Sequence, residues 1–335
     1  MDIKELFLQL RKGNITALAR AITLVESKLQ TDRILADELI DMCLPFTGNS
    51  FRMGITGVPG VGKSSFIESF GLHLIENKKK LAVLAIDPSS EKSGGSILGD
   101  KTRMEKLSSG KNVFIRPTPS GGHLGGVARN TYEAVILCEA AGFDFIIIET
   151  VGVGQSETIV KHLTDFFLLL MLAGSGDELQ GIKRGIMEMA DSILINKADG
   201  NNLQNCKIAK SEFSMAIHYL PPNENGWIPN VDICSAVTGL GIESFYDKII
   251  SFEAQQKSSG YFNKTRDAQK LFWFENFLVS EIKKLIETSS KLKYSFDEIK
   301  MNLITNNLSP HSAVKTILSR IEESLKEGSV DFYHS

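Results

Sequence analysis

Nine consecutive residues limit this chain more than any others. Gly57-Val58-Pro59-Gly60-Val61-Gly62-Lys63-Ser64-Ser65 fits the pattern G-x-x-x-x-G-K-[ST], a loop that works only between a strand and a helix. Glycines let successive backbone N–H groups turn inward and approach phosphate oxygens closely. Lys63 adds a positive charge where β- and γ-phosphates would lie, and the Ser64 hydroxyl is a hard oxygen suited to Mg2+. The flanks agree with this reading. Residues 51–56 read as a short buried strand, and 66–76 as a helix whose N-terminus carries partial positive charge.

Further apolar runs follow at 81–86, 112–116, 143–149, 165–172, 191–195 and 231–234, with helical stretches between many of them. Near-continuous apolar strands imply burial on both faces. The expected fold is therefore an α/β P-loop NTPase with a mostly parallel central sheet flanked by helices. Leucines and isoleucines from Leu6 to Val25 recur at helical spacing, and Asn14 or Thr16 is placed to cap the second helix. We expect a helical N-terminal extension over 1–46, the P-loop domain over 47–256, and a helical C-terminal extension over 257–335. The last region reads as helices at 267–288 and about 296–327, with Ser258-Ser259-Gly260 as the hinge into it. Within it, Phe272, Trp273, Phe274 and Phe277 suit either core packing or a self-association face. A net charge of −3 argues against a broad nucleic-acid or membrane surface. The N-terminus shows no signal-peptide pattern and no run is long enough to span a bilayer, so a cytoplasmic protein is expected. The four cysteines, Cys43, Cys138, Cys206 and Cys234, form no C-x-x-C pair and read as buried thiols.

Two short patterns select the base. Asn196-Lys197-Ala198-Asp199 follows a strand and fits N-K-x-D. A carboxylate at Asp199 accepts from N1–H and the exocyclic amine of guanine. Adenine offers neither donor, and an unpaired carboxylate costs roughly 1–3 kcal/mol. Ser235-Ala236-Val237, after the strand at 231–234, fits a supporting loop whose backbone N–H groups reach the guanine O6.

Glu149-Thr150-Val151-Gly152 ends the very apolar strand Phe143 to Ile148. Glu149 would stand beside the metal and the Gly152 N–H would meet the γ-phosphate. Common GTPases carry Asp at the first of these positions and a water-orienting Gln after the Gly. Here Val153 can neither donate nor accept, and Gln155 is only nearby, so slow intrinsic hydrolysis is expected. Asp87 closes the strand 81–86, and Asp100 follows the Gly-rich stretch 93–99. Each fits Mg2+ coordination through a mobile loop; an Asx-turn and a solvated charge are the alternatives. The stretch from Gly174 to Lys183, containing Asp177, Glu178 and Gln180, suits a moving loop or a solvated one.

Taken together, IDPSS, SGGSILGDKTRM, RPTPSGGHLGGVAR, ETVGVGQSE, GDELQGIK and NKADG closely resemble the MeaB/MMAA group of P-loop GTPases, once labelled ArgK. The match covers about 50 to 245. The resemblance implies a GTPase chaperone of an adenosylcobalamin-dependent acyl-CoA mutase, typically methylmalonyl-CoA mutase, whose cofactor loading and protection it gates. It assigns Ser64, Asp87, Asp100 and Glu149 to the Mg2+ side. It makes Asp177, Glu178, Gln180 and Lys183 part of a switch coupled to the partner, with Lys183 joining Lys63 and Glu149 in the catalytic site. It also implies a homodimer formed through the C-terminal extension.

The residues themselves reach a slow, Mg2+-dependent GTPase and do not reach cobalamin. No D-x-H-x-x-G pattern is present, so a tightly bound cobalamin is not expected and that cofactor would belong to the partner. Two other classes compete. A metal-insertion GTPase for a nickel enzyme would carry clustered His or Cys, whereas His73, His123, His162, His218, His311 and His334 are scattered. A kinase, as the older label suggests, fits poorly with a guanine selector.

Overall fold

The computed structural model describes residues 2–87, 104–119, 124–150, 156–174, 184–221 and 223–326, with Asp87 described for its backbone alone. Contacts divide the chain into two compact units, 1–269 and 270–335.

The first unit opens with three helices, α1 (Ile3–Arg11), α2 (Ile15–Glu26) and α3 (Gln30–Cys43). Asn14 caps α2: its Oδ1 accepts the N–H of Thr16 at 2.9 Å and of Ala17 at 3.1 Å, satisfying two amides that a helix start leaves open. Strands and helices then alternate: β1 (Phe51–Gly57), α4 (Lys63–Glu76), β2 (Leu81–Asp87), α5 (Glu105–Ser108), β3 (Val113–Pro119), α6 (Leu124–Ala140), β4 (Phe145–Thr150), α7 (Ser156–Lys161) and β5 (Phe166–Leu172). After them come α8 (Arg184–Met189), β6 (Ser192–Asn196), α9 (Leu203–His218), β7 (Asn230–Ile233) and α10 (Ile242–Ser258).

The seven strands form one sheet in the order β3-β2-β4-β1-β5-β6-β7, and every pairing is parallel. Each apolar run read from the sequence is a strand, shifted by up to three residues at its ends, most at β3, which runs on to Pro119. Phe145 to Thr150 is buried throughout, as double-sided coverage requires. The central strand β1 carries the phosphate loop at its carboxyl end, where open α/β sheets place their ligands. On one face Phe66 and Phe70 of α4 stack at 5.7 Å, and Phe245 of α10 meets both edge-on at 5.7 and 5.4 Å. Phe166 of β5 and Phe252 of α10 close the cluster at 4.9 Å. This aromatic layer fixes the helix that follows the phosphate loop against the sheet.

At the other end of the sheet lies a buried charged cluster. The helix α11 (Tyr261–Thr288) follows the turn at Gly260, six residues earlier than the sequence predicts. Its Arg266 grips both oxygens of Asp165, Nε to Oδ1 and Nη2 to Oδ2 at 2.7 Å each, and its Nη1 reaches Glu139 Oε1 at 3.2 Å. Arg52, in β1, forks onto the same Glu139 at 2.9 and 2.8 Å. Burial alone would raise the Glu139 carboxyl; the two guanidiniums and the Ser50 hydroxyl outweigh it and hold the group down at about 2. The first unit thus continues past the Ser258-Ser259-Gly260 turn to Gln269 because Arg266 cannot be withdrawn from its two carboxylates cheaply.

The second unit contains the rest of α11, α12 (Ser290–Ile304) and α13 (Pro310–Lys326), packed around Ile286, Leu292, Ile299, Ala313 and Ile317. The single C-terminal helix expected over 296–327 is two, broken between Ile304 and Pro310, where Asn306 takes a positive φ of 58°. No helix among the described residues is long and apolar enough to cross a membrane.

Candidate nucleotide-binding site

The loop 58–62 leaves β1 through Gly57, whose φ is 154° and where a Cβ would lie 2.5 Å from the Leu170 carbonyl on β5. A side chain there would collide with backbone. Gly62, the residue before α4, has φ 93°, and a Cβ would meet Asn196 Nδ2 at 2.8 Å. These two glycines are required by close approach as well as by conformation. Gly60, with φ 80°, faces open space.

Lys63 starts α4 and is 9% exposed. Its Nζ donates to the Gly57 carbonyl at 2.8 Å and lies 3.5 Å from that of Val58. Burial lowers the ammonium's pKa, while the carboxylates of Glu149 and Glu157 pull it back up. Ser64 is half-buried in the first turn of α4 and Ser65 is exposed. Glu149, 8% exposed, stands opposite Ile55 on the neighbouring strand, one residue short of β4's end. The next residue was not singled out in the sequence: Thr150 Oγ1 donates to Thr56 Oγ1 at 2.9 Å and ties the ends of β4 and β1 together behind the loop.

The residues expected to select the base come to the same edge. Asn196, 1% exposed, donates from Nδ2 to the Val61 carbonyl at 2.9 Å and accepts from the Ala236 N–H at 3.3 Å. Lys197 adopts a positive φ of 63°, and its Nζ donates to the Gly60 carbonyl at 2.9 Å. Ser235 is fully buried; its hydroxyl donates to Asp199 Oδ2 at 2.5 Å and accepts from Thr238 N at 3.2 Å. Val237 is 85% exposed. The loop turns back at Gly241, φ 78°, where a Cβ would lie 2.4 Å from the Ile233 carbonyl. Two thiols back the site: Cys234 Sγ is 3.6 Å from Asn196 Oδ1, and Cys206 Sγ is 3.7 Å from the Asn196 carbonyl. All four cysteines are buried and free, and burial pushes Cys234 up to about 12. Neither the threonine pair nor the thiols left a signal in the sequence, because each contact joins distant segments.

The structure therefore brings together Gly57 to Ser65, Glu149, Asn196, Lys197, Asp199, Ser235, Ala236 and Val237. Asp87 ends β2, two strands from β1, with its backbone alone described. Asp100, Gly152, Val153, Gln155, Asp177, Glu178, Gln180 and Lys183 lie outside the described residues. Among the described residues no three His, Cys, Asp or Glu side chains gather as a metal site.

A phosphate loop on the central strand of a parallel sheet, with N-K-x-D and S-A loops hydrogen-bonded at its mouth, defines the class: a P-loop protein of the GTPase type. Residues 18–291 match the family model described as methylmalonyl Co-A mutase-associated GTPase MeaB, and the chain belongs to that family. It is 43% identical over 314 residues to "GTPase ArgK" of Escherichia coli (strain K12), covering 94% of this chain and 95% of that one. It is 41% identical over 326 residues to "Methylmalonic aciduria type A homolog, mitochondrial" of Mus musculus, covering 94% of this chain and 79% of the relative. A solved structure, "Crystal structure of LAO/AO transport system kinase", superposes with a TM-score of 0.76 at 36% identity, over 96% of this chain and 97% of the other.

Proposed function

We propose that this protein binds GTP, hydrolyses it slowly, and acts as a chaperone gating adenosylcobalamin loading and protection of a cobalamin-dependent acyl-CoA mutase, of the methylmalonyl-CoA mutase type. The observation that carries the nucleotide part is the Asn196 bridge, which hydrogen-bonds the base loops to the phosphate loop as one preformed site. Family membership supports the choice of client.

In this reading the backbone N–H groups of the loop and Lys63 hold the phosphates, and the Gly152 N–H meets the γ-phosphate. Asp199 pairs with guanine N1–H and its amine, held in place by Ser235. Ala236 and Val237 offer backbone N–H groups to O6. The Ser64 hydroxyl and the carboxylates of Asp87, Asp100 and Glu149 form a hard oxygen set suited to Mg2+. Ser64 and Glu149 sit at the loop's edge, consistent with that assignment. When bound, the ion would supply charge neutralisation across the β- and γ-phosphates. Lys63 stabilises charge on the transferring phosphoryl group. With Val153 in place of a water-orienting Gln, hydrolysis waits on Lys183 and the segment around Asp177, Glu178 and Gln180, which couple nucleotide state to the client. Cobalamin itself belongs to the client.

Self-association as a homodimer follows the apolar stripe of α11. Leu271, Phe274, Leu278 and Ile282 recur at helical spacing and all four are exposed. The protein would act in the cytoplasm. The deciding experiment is co-purification with adenosylcobalamin mutases in the presence of GDP and of a non-hydrolysable GTP analogue. Association that differs between the two states is expected; no association in either removes the chaperone reading.

A further inference from the structure

Buried carboxylates flank Lys63 from both faces of the sheet. Glu149 follows Phe145 and Ile147 along β4, and those two pack with Ile55 and Phe66 in the core on the α4 side. Alternate residues of a strand share a face, so Glu149 also lies on the α4 side. On the opposite face α7 lies against β1: a Cβ on Gly54 would meet the side chains of Val160, in α7, and of Phe167, in β5, at 2.8 Å each. Glu157 stands one helical turn before Val160, on the same side of α7. The chain enters α7 from the carboxyl end of β4, so that turn is the one nearer the phosphate loop.

Glu157 is 3% exposed. Its carboxylate and that of Glu149 are the charges that raise the Lys63 pKa against burial. The Lys63 ammonium is otherwise held at the loop by the Gly57 carbonyl at 2.8 Å. A carboxylate in this position acts twice. It stabilises a buried ammonium that has left water, and it competes with any phosphate for the same positive charge. GTP brings more negative charge to Lys63 than GDP does, so the competition falls hardest on the terminal phosphate. Glu149 belongs to the set suited to Mg2+, whose charge would offset it. Glu157 comes from the other face and is not in that set.

We infer that Glu157 is a positioning residue acting through Lys63: it holds the ammonium at the loop, competes with the terminal phosphate for it, and so sets the ratio of GTP to GDP affinity. The inference rests on the GTP-binding reading proposed above. It assigns a role to the segment after Gly152 that comes from charge alone and needs no contact with the metal.

The test is Glu157→Gln in the full chain, which removes the charge and keeps the size. A fluorescent GDP and a fluorescent non-hydrolysable GTP analogue are titrated, with Mg2+ present, into the wild type, Glu157→Gln, Glu157→Asp, Lys63→Met and the Glu157→Gln, Lys63→Met double variant. Each chain is also melted without nucleotide. Glu157→Gln should melt below the wild type, because the ammonium loses a counter-charge, yet bind the GTP analogue about tenfold more tightly and GDP by a smaller factor. A residue that only supports the fold would lower stability and affinity together. In the Lys63→Met background the gain should shrink to roughly threefold or less, since only direct repulsion between carboxylate and phosphate is left. Glu157→Asp draws the charge back by one methylene and should move the ratio the same way by about two- to threefold; it carries the test if Glu157→Gln does not fold. An unchanged ratio, weaker binding of the GTP analogue, or a gain undiminished in the Lys63→Met background overturns the proposal. A wild type that binds neither nucleotide removes the GTP reading and this inference together, whereas a wild type that binds both, with a ratio unmoved by the Glu157 variants, removes this inference alone.

Discussion

The Asn196 side chain donates to the carbonyl of Val61, 135 residues earlier in the chain, at 2.9 Å. The same carboxamide accepts from the Ala236 N–H. One buried side chain therefore sets the spacing between the phosphate loop and both base loops. Removing it by Asn196→Ala leaves the buried Val61 carbonyl and the partly buried Ala236 N–H unmet, a loss of about 1–3 kcal/mol. GDP affinity should fall roughly ten- to a hundredfold, at about 1.4 kcal/mol per tenfold. Titration with a fluorescent GDP analogue reads this directly; unchanged affinity would show that the bridge does not shape the site.

The loop glycines should rank by what a methyl group would meet. Gly57→Ala drives a Cβ to 2.5 Å from backbone that cannot yield, so a drop of several degrees in melting temperature is expected. Gly62→Ala meets the Asn196 amide at 2.8 Å and should cost nucleotide affinity more than stability. Gly60→Ala, with open space and only the strain of φ 80°, should be the mildest, at about 1 kcal/mol. Thermal melts and GDP titration of the three variants check the order, and equal effects at Gly57 and Gly60 would contradict it.

Lys63 keeps a buried ammonium whose pKa burial lowers, against the pull of Glu149 and Glu157. Its hydrogen bonds go to loop carbonyls. Lys63→Met removes the desolvated charge and keeps most of the apolar stem. The melting temperature should hold or rise, while GTP binding weakens about ten- to a hundredfold through loss of a charge-assisted contact worth roughly 1.5–3 kcal/mol. A variant that unfolds would show that Lys63 is structural.

The Arg266 cluster predicts a pH dependence. Glu139 is held at about 2 in the folded state, below its ordinary carboxylate value. A depressed carboxyl stabilises the fold above its unfolded pKa, and that contribution disappears as pH falls towards 2. Its size is on the order of 3 kcal/mol. Chemical denaturation from pH 7 down to pH 3 should show stability falling, with Glu139→Gln flattening part of the slope. Arg266→Met, which leaves the Asp165 carboxylate in the interior without its cation while Glu139 keeps Arg52, should cost about 3–5 kcal/mol at neutral pH.

The nucleotide class was legible because its signals are short and contiguous. Gly57 to Ser65 must be a turn between strand and helix whatever surrounds it. Phe145 to Ile148 must be buried on both faces, and Asn196 to Asp199 is four adjacent residues. Seven strands and the helical flanks followed from such runs, within three residues at each strand end. Helix ends near the C-terminus were less legible. Tyr261 to Arg266 has no apolar periodicity of its own, and it is helical where Arg266 meets Asp165 and Glu139.

What the sequence by itself determined is thus the fold class and the presence of the phosphate-loop, N-K-x-D and S-A motifs, since each is encoded by neighbours along the chain. Tertiary structure alone decided what those loops are fastened to: Asn196 to Val61, Thr150 to Thr56, Arg266 to Asp165 across 101 residues. The physical reason is that hydrogen bonds and ion pairs between distant segments leave no period and no spacing to read. They exist only once the sheet order has put those segments side by side.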